Sequence, residues 1–101
     1  MPLTHRIQDR VCEITVQQCL HRNESQELLK KWGELLGALD LEKVVLDMQI
    51  CQSISSAGIG AILTIAKEAK AKAISLALIN CDEKVKYLFN VTGIQSIVPI
   101  D

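Results

Sequence analysis

The stretch SISSAGIGAIL, Ser53–Leu63, sets three hydroxyls (Ser53, Ser55 and Ser56) directly ahead of Ala57-Gly58-Ile59-Gly60 and an apolar run. Two chemistries use such a pattern. A serine where a helix begins accepts hydrogen bonds from the unpaired N–H groups of the first turn, so Ser56 reads as a helix cap. The same hydroxyl can also carry phosphate. A helix N-terminus bears roughly half a positive charge, and an anion placed there gains hydrogen bonds from the backbone amides. Phosphorylation would add about −1.5 to −2 charges to a surface made otherwise of neutral, small residues. Gly58 and Gly60 keep that surface low, so that a partner backbone can approach closely. This combination suits a switchable docking surface better than catalysis.

Rival chemistries lack their parts. A hydrolase needs a nucleophile, a base and an orienting acid. The two histidines, His5 and His21, both fall in the N-terminal quarter, and Ser56 does not sit in a Gly-x-Ser-x-Gly elbow. No catalytic residue is expected. Cys19 and His21 are two apart and would share a face of a strand, but Cys12, Cys19, Cys51 and Cys81 show no paired ligand spacing, so no metal site is expected. Gly58-Ile59-Gly60 follows a strand and Asp82 lies roughly twenty residues on, as in a dinucleotide fingerprint. However, Leu63 fills the third glycine position, and the connection from Gln49 to Ala57 is too long for the tight phosphate turn. A Gly-Lys-Ser/Thr phosphate loop is missing as well. No cofactor is expected.

Composition narrows the field further. With 101 residues the chain has room for one ordinary core, spanning 1–101. Hydrophobic residues make up 49%, and Trp32, Tyr87 and Phe89 are the only aromatics, so the core must be aliphatic. The net charge of −1 comes with no Lys/Arg stripe, which argues against nucleic acid and anionic membrane as partners. MPLTHRIQDR lacks the apolar core of a secretion signal, and no apolar run is long enough to cross a bilayer. A cytoplasmic protein is expected, its cysteines reduced and used mainly as small buried hydrophobes.

The elements that must hold the serine stretch can be read from periodicity. Val11–Val16 (VCEITV) alternates as a half-buried strand does, with a shorter strand, Thr4–Gln8, before it and Asp9-Arg10 as the turn. In NESQELLKKWGELLGALD, Leu28, Leu29, Trp32, Leu35, Leu36 and Leu39 recur at helical spacing, and Asn23 or Ser25 is placed to cap the start. Lys43–Met48 and Ile74–Ile79 are near-continuous apolar strands, as in parallel sheets. Between them a helix from about Ala57 to Ala71 turns Ile59, Ile62, Leu63 and Ala66 inward and leaves Lys67, Glu68, Lys70 and Lys72 to solvent, completing a strand–helix–strand crossover of right-handed sense. A third helix, Asp82–Val91, is capped by Asn80 or Asp82, buries Val85, Leu88 and Phe89, and is closed by Gly93. Ile97–Ile100 forms a last extended piece that Pro99 assigns to an edge. The order predicts an α/β fold: a small, mostly parallel sheet with an antiparallel N-terminal edge and packed helices.

VVLDMQICQSISSAGIGAIL resembles the signature of STAS domains, the anti-sigma factor antagonists and their relatives. Leu46-Asp47-Met48 stands for the family's strand end, and Ser55-Ser56-Ala57-Gly58-Ile59-Gly60 for its loop and helix start. The likeness continues through SLALINCDEKVKYLFNVTGIQSIVPI, where Phe89-Asn90-Val91-Thr92-Gly93-Ile94 matches a Leu-x-x-Thr-Gly-Leu-like segment. It covers Val44–Ile100 well, and the first forty residues in layout. The resemblance implies the STAS fold and a regulatory binding module, not an enzyme. In that family a partner anti-sigma kinase phosphorylates the matching serine, and the unphosphorylated form binds the kinase and frees the sigma factor. Ser56 matches that acceptor, with Ser55 second; Ser53, Ser55, Ser56, Ala57, Gly58, Ile59, Gly60 and His21 make up the implied partner surface. Two acids of the family pattern are replaced: the aspartate before the acceptor is Ser55, and His21 in Gln18-Cys19-Leu20-His21 stands at the other acidic position. Both changes remove negative charge beside Ser56. Two alternatives stand beside this reading: a STAS-like module that works unphosphorylated in another signalling assembly, and a domain binding a small anion or nucleotide at the helix N-terminus.

Overall fold

A computed structural model describes residues 3–17, 19–38 and 40–100. The alternation VCEITV becomes strand β2 (Val11–Val16), which buries Cys12, Ile14 and Val16 and leaves Val11, Glu13 and Thr15 half-buried. Strand β1 (Leu3–Gln8) pairs antiparallel with it, from Leu3 opposite Val16 to Gln8 opposite Val11. Asp9 and Arg10 make the turn between them with φ of 52° and 67°, the left-handed pair that a two-residue hairpin turn requires. Strand β3 (Lys43–Asp47) lies parallel to β2, and β4 (Ser75–Ile79) parallel to β3, giving the sheet order β1-β2-β3-β4. The register aligns Cys12 with Val44 and Leu76, and Ile14 with Leu46 and Leu78. Those six side chains form one continuous buried layer.

The helices cover that layer. Helix α1 (Arg22–Ala38) buries Leu28, Trp32 and Leu35, with Leu36 partly buried and Leu29 at its exposed margin; Leu39 lies outside the described residues. The start of α1 differs from expectation. His21 holds the cap position, and its N–H donates to Glu24 Oε1 at 3.2 Å, one half of a capping box. Asn23 and Ser25 lie inside the helix. Ser25 is buried and donates to the His21 carbonyl four residues back at 2.5 Å, which satisfies a hydroxyl that would otherwise be stranded in the core.

Helix α2 (Ser56–Ala71) buries Ala61, Ile62, Ile65, Ala66 and Ala69 against the sheet and α1, while Ile59 and Leu63 are only partly buried. Lys67 and Lys70 face solvent as expected, but Glu68 does more. Its Oε1 accepts the indole N–H of the buried Trp32 at 2.7 Å, tying α2 to α1. Helix α3 (Glu83–Thr92) is capped by Asp82, which accepts the Lys84 N–H at 2.9 Å, and closed by Gly93 at φ 80°. Val85 and Phe89 are buried and Leu88 partly so. Asn80 does not cap the helix; its amide donates to Asp47 Oδ1 at 3.2 Å. Beyond a 3-10 turn at Ile94–Ser96, only Ile100 of the expected extended piece pairs with the sheet, bridging Leu78, whose N–H donates to the Pro99 carbonyl at 3.0 Å. Among the described residues no helix is long and apolar enough to cross a membrane.

The Trp32–Glu68 bond yields a test of the α1–α2 contact. Glu68→Ala strands a buried indole N–H, and the expected cost is about 1–3 kcal/mol. Lys67→Ala, one residue away on the solvent face, should change stability by less than about 0.5 kcal/mol. Urea denaturation followed by the fluorescence of Trp32, the only tryptophan, reads both.

Candidate functional site

The serine stretch is held by two loops, 48–55 between β3 and α2 and the segment ahead of α1. β3 ends in Asp47, whose Oδ1 accepts both the Gln49 N–H at 3.1 Å and the Asn80 amide. That carboxylate fixes where the chain leaves the sheet. The loop then turns, with the Cys51 N–H donating to the Met48 carbonyl at 3.0 Å. From the other side comes Leu20, fully buried. Its N–H donates to the Ser53 carbonyl at 3.0 Å, and its carbonyl accepts the Ser55 N–H at 2.9 Å. Leu20 and Ile54 form a parallel bridge, so the two loops are stitched into a short extension of the sheet in front of α2.

Gly58 completes the seam. A Cβ at this position would lie 2.5 Å from the Leu20 carbonyl oxygen and 2.6 Å from Ile54 Cγ1. The first turn of α2 therefore rests directly on the Leu20 backbone, which only glycine allows. Gly58 is buried, so its bareness serves internal packing and offers nothing to a partner. This corrects its assignment to the partner surface. Gly60 is exposed with open space above it, and there the low surface is real.

The two adjacent serines divide the work. Ser55, not Ser56, occupies the cap position of α2, at φ −97° and ψ 176°, and it makes no side-chain cap. It is half-buried, and its hydroxyl points back to the Leu20 carbonyl at 3.4 Å. Ser56 is the first helical residue. It is exposed, and its hydroxyl bonds to no described residue. The first turn of α2 contains no acid, so the positive end of the helix is uncompensated beside the Ser56 hydroxyl. Ala57 is exposed next to it and Ile59 half-buried.

His21 comes to the site as well. Its Nε2 lies 2.8 Å from Ser53 Oγ, a clamp between the loops. Glu24 bonds the backbone of His21, and no carboxylate among the described residues pairs with its ring. The pair thus lacks the orienting acid of a hydrolytic triad. Beneath it, Cys51 is buried and its thiol donates to the Ser53 carbonyl at 3.3 Å. Burial pushes that thiol up, while the backbone amides of Leu20 and Ser53 partly offset the effect. Burial likewise raises Cys12. Cys12 and Cys51 are buried as expected of small hydrophobes, whereas Cys19 and Cys81 are only half-buried. Among the described residues no three potential ligands converge on a metal position.

Sequence reasoning passed over one residue here. Ile50, at the bend of the β3–α2 loop, is 53% exposed, a large apolar side chain beside the small-residue surface. Its only signal is its setting, an isolated aliphatic between Gln49 and Cys51-Gln52 where no strand or helix periodicity claims it.

The two glycines of Gly58-Ile59-Gly60 should respond oppositely to the same change. Gly58→Ala drives a methyl into backbone and is expected to cost about 1–3 kcal/mol. Gly60→Ala should leave stability unchanged or raise it by roughly 0.5–1 kcal/mol through helix propensity. Denaturant midpoints of the two variants measure this, and equal effects would contradict the packing described.

The STAS domain family model matches residues 3–101. Solved structures share the fold. A Thermotoga maritima protein assigned as an anti-sigma factor antagonist superposes with a TM-score of 0.89 at 24% identity, over 97% of this chain and 84% of that one. The Bacillus cell fate determinant SpoIIAA in its phosphorylated form gives a TM-score of 0.78 at 14% identity, over 98% and 90%. An anti-sigma factor antagonist from Mycobacterium paratuberculosis gives 0.84 at 12% identity, over 97% and 82%. No curated protein sequence matches the chain at a significant level.

Proposed function

The chain belongs to the STAS domain family, and we propose that it is an anti-sigma factor antagonist-like binding module, not an enzyme, that docks on an anti-sigma kinase and is released when Ser56 is phosphorylated. The observation that carries this reading is the state of the Ser56 hydroxyl: exposed, unpaired among the described residues, and standing on the first residue of α2. Ser55 is the weaker acceptor, because its hydroxyl is half-buried against the Leu20 carbonyl. That a structural neighbour has been solved in a phosphorylated form supports a fold that accommodates the modification.

The mechanism follows from charge. In the unmodified domain, Ser53, Ser56, Ala57 and Gly60 present a neutral, low surface, flanked by the exposed Ile50. A kinase can pack closely on it and reach the Ser56 oxygen. Transfer of the γ-phosphoryl group of ATP joins phosphorus to Ser56 Oγ as its bond to the β,γ-bridging oxygen breaks and ADP leaves, and the hydroxyl proton goes to the kinase's base. The product carries about −1.5 to −2 charges in the middle of the contact. The backbone amides at the start of α2 stabilise that charge in the free domain, whereas the apposed kinase surface must desolvate it. Release follows. His21 and Ser55, which stand where the family pattern has acids, leave the surroundings of Ser56 less negative, and this sets which kinase surface fits.

Incubating the domain with a candidate anti-sigma kinase and ATP should add one phosphate mass, mapped to Ser56 and abolished by Ser56→Ala. Binding should separate the variants: Ser56→Asp weakens the complex about tenfold or more, while Ser56→Ala binds as the unmodified protein does. Equal affinities for the two variants would refute the switch. The same replacement of both acids favours a second reading, a STAS module that docks in another signalling assembly without being phosphorylated; binding without any mass gain on Ser56 would select it.

A further inference from the structure

Strand β4 lies at one side of the sheet, and its outer edge is only partly used. The Ser75 N–H donates to the Glu42 carbonyl at 3.0 Å and the Ile79 carbonyl accepts the Met48 N–H at 2.9 Å, so these alternate residues of β4 spend their backbone groups on the β3 side. Successive residues of a strand point those groups to opposite edges, and Leu76 and Leu78 therefore turn theirs outward. Leu78 finds the Pro99 carbonyl there at 3.0 Å. Leu76 finds nothing. Continuing the same ladder would set its carbonyl against the N–H of residue 99, and proline has none. It would set the Leu76 N–H against the Ile97 carbonyl, but Ile97 is helical at φ −111° and ψ −36°, so the chain is not extended there. No described residue takes either group, although Leu76 is only 8% exposed. Buried backbone groups without a partner are rare.

Leu76 borders a cavity of about 380 Å³ between the end of α2, β4 and the C-terminal segment, within the roughly 300–1,000 Å³ of small-molecule sites. Ala66, Ala69, Ile74, Val98 and Pro99 give it aliphatic walls. Lys70 also lines it, exposed and with no acidic partner among the described residues. The Ile74 N–H donates to the Ala69 carbonyl at 2.8 Å, which holds the last turn of α2 beside the start of β4. The ammonium thus belongs to the same end of the cavity as the Leu76 N–H. A ligand that fits must offer an acceptor with negative charge at that end, a donor one residue-length away and an aliphatic body. The bridge of Ile100 to Leu78 limits the free edge to the single residue Leu76, which leaves room for a small molecule and not for an added strand.

We propose that this cavity binds an N-acylated aliphatic amino acid. Its amide N–H donates to the Leu76 carbonyl, and its carboxylate accepts the Leu76 N–H, the reciprocal pair that two antiparallel residues exchange. Lys70 neutralises the carboxylate, and the aliphatic side chain packs on the walls. The site lies at the opposite end of α2 from Ser56, so it stands independently of the docking function proposed above.

Titration of the nitrogen-15-labelled domain with N-acetyl-leucine, followed by amide NMR, tests this without a partner. Saturable shifts should centre on the amides of Leu76, Ser75, Lys70 and Val98. N-acetyl-leucine amide, which lacks the negative charge, should bind about tenfold or more weakly. Lys70→Met keeps the aliphatic stem at an exposed position, and it should weaken the acid by a similar factor while leaving the amide unaffected. The proposal is overturned if the Leu76 amide does not move at saturating acid, if the shifts centre on the start of α2, or if acid and amide bind equally well. None of these results bears on Ser56, whose phosphorylation is read separately.

Discussion

The carbonyl oxygen of Leu20 is the point on which the site depends. It accepts the Ser55 N–H, receives the weaker approach of the Ser55 hydroxyl, and forms the floor under Gly58. The N–H of the same residue closes the other half of the seam on Ser53. A buried backbone group must find a partner or carry a cost of about 1–3 kcal/mol, and Leu20 satisfies both of its groups across the loop junction. As a consequence α2 begins at one defined residue. Ser55 is consumed in making the junction, and Ser56 is the first side chain left free by it. The division between a structural serine and an available one is thus decided by hydrogen bonding to a residue thirty-five positions away.

The sheet makes that junction possible. Parallel pairing of β2 with β3 brings the ends of both strands to the same side of the sheet, so the loops that follow them run alongside one another. Asp47 anchors one of these loops by taking N–H groups from Gln49 and Asn80. His21 anchors the other twice over, through its backbone as the cap of α1 and through its ring on Ser53. Beneath the site, the Cys12–Val44–Leu76 and Ile14–Leu46–Leu78 rows are packed by the apolar faces of α1 and α2. Close-packed interiors resist small displacements, so the helix start is presented on a rigid base.

Much of this was legible in the chain because it follows from neighbours in sequence. The alternation of Val11–Val16, the leucine stripe of α1, the apolar strands β3 and β4 and the left-handed close of α3 at Gly93 are local signals, and the serine–glycine stretch stands where the helix begins. What local pattern could not supply were the long-range hydrogen bonds. Trp32 and Glu68 are thirty-six residues apart and His21 and Ser53 thirty-two. Glu68 reads as one more solvated charge until α1 is placed beside it, and Gly58 reads as a bare surface until Leu20 is placed under it. The cap of α2 moved from Ser56 to Ser55 for the same reason, since the competing acceptor lies on another element. Ser25 in α1 is the local counterpart: its hydroxyl bonds within the helix and ceases to be a cap. At the C-terminal end the apolar residues Ile97–Ile100 suggest a strand, but Pro99 has no N–H to give, and pairing with β4 reduces to the single bridge at Ile100.

Amide hydrogen–deuterium exchange of the domain, alone and mixed with a candidate anti-sigma kinase, tests the proposed docking most directly, because it reports where a partner sits without altering a residue. The account predicts new protection confined to peptides covering Cys19–His21 and Ile50–Gly60, and loss of that protection once Ser56 carries phosphate. Protection that falls instead on α3, around the exposed Tyr87 and Val91, with the start of α2 unchanged, would contradict it.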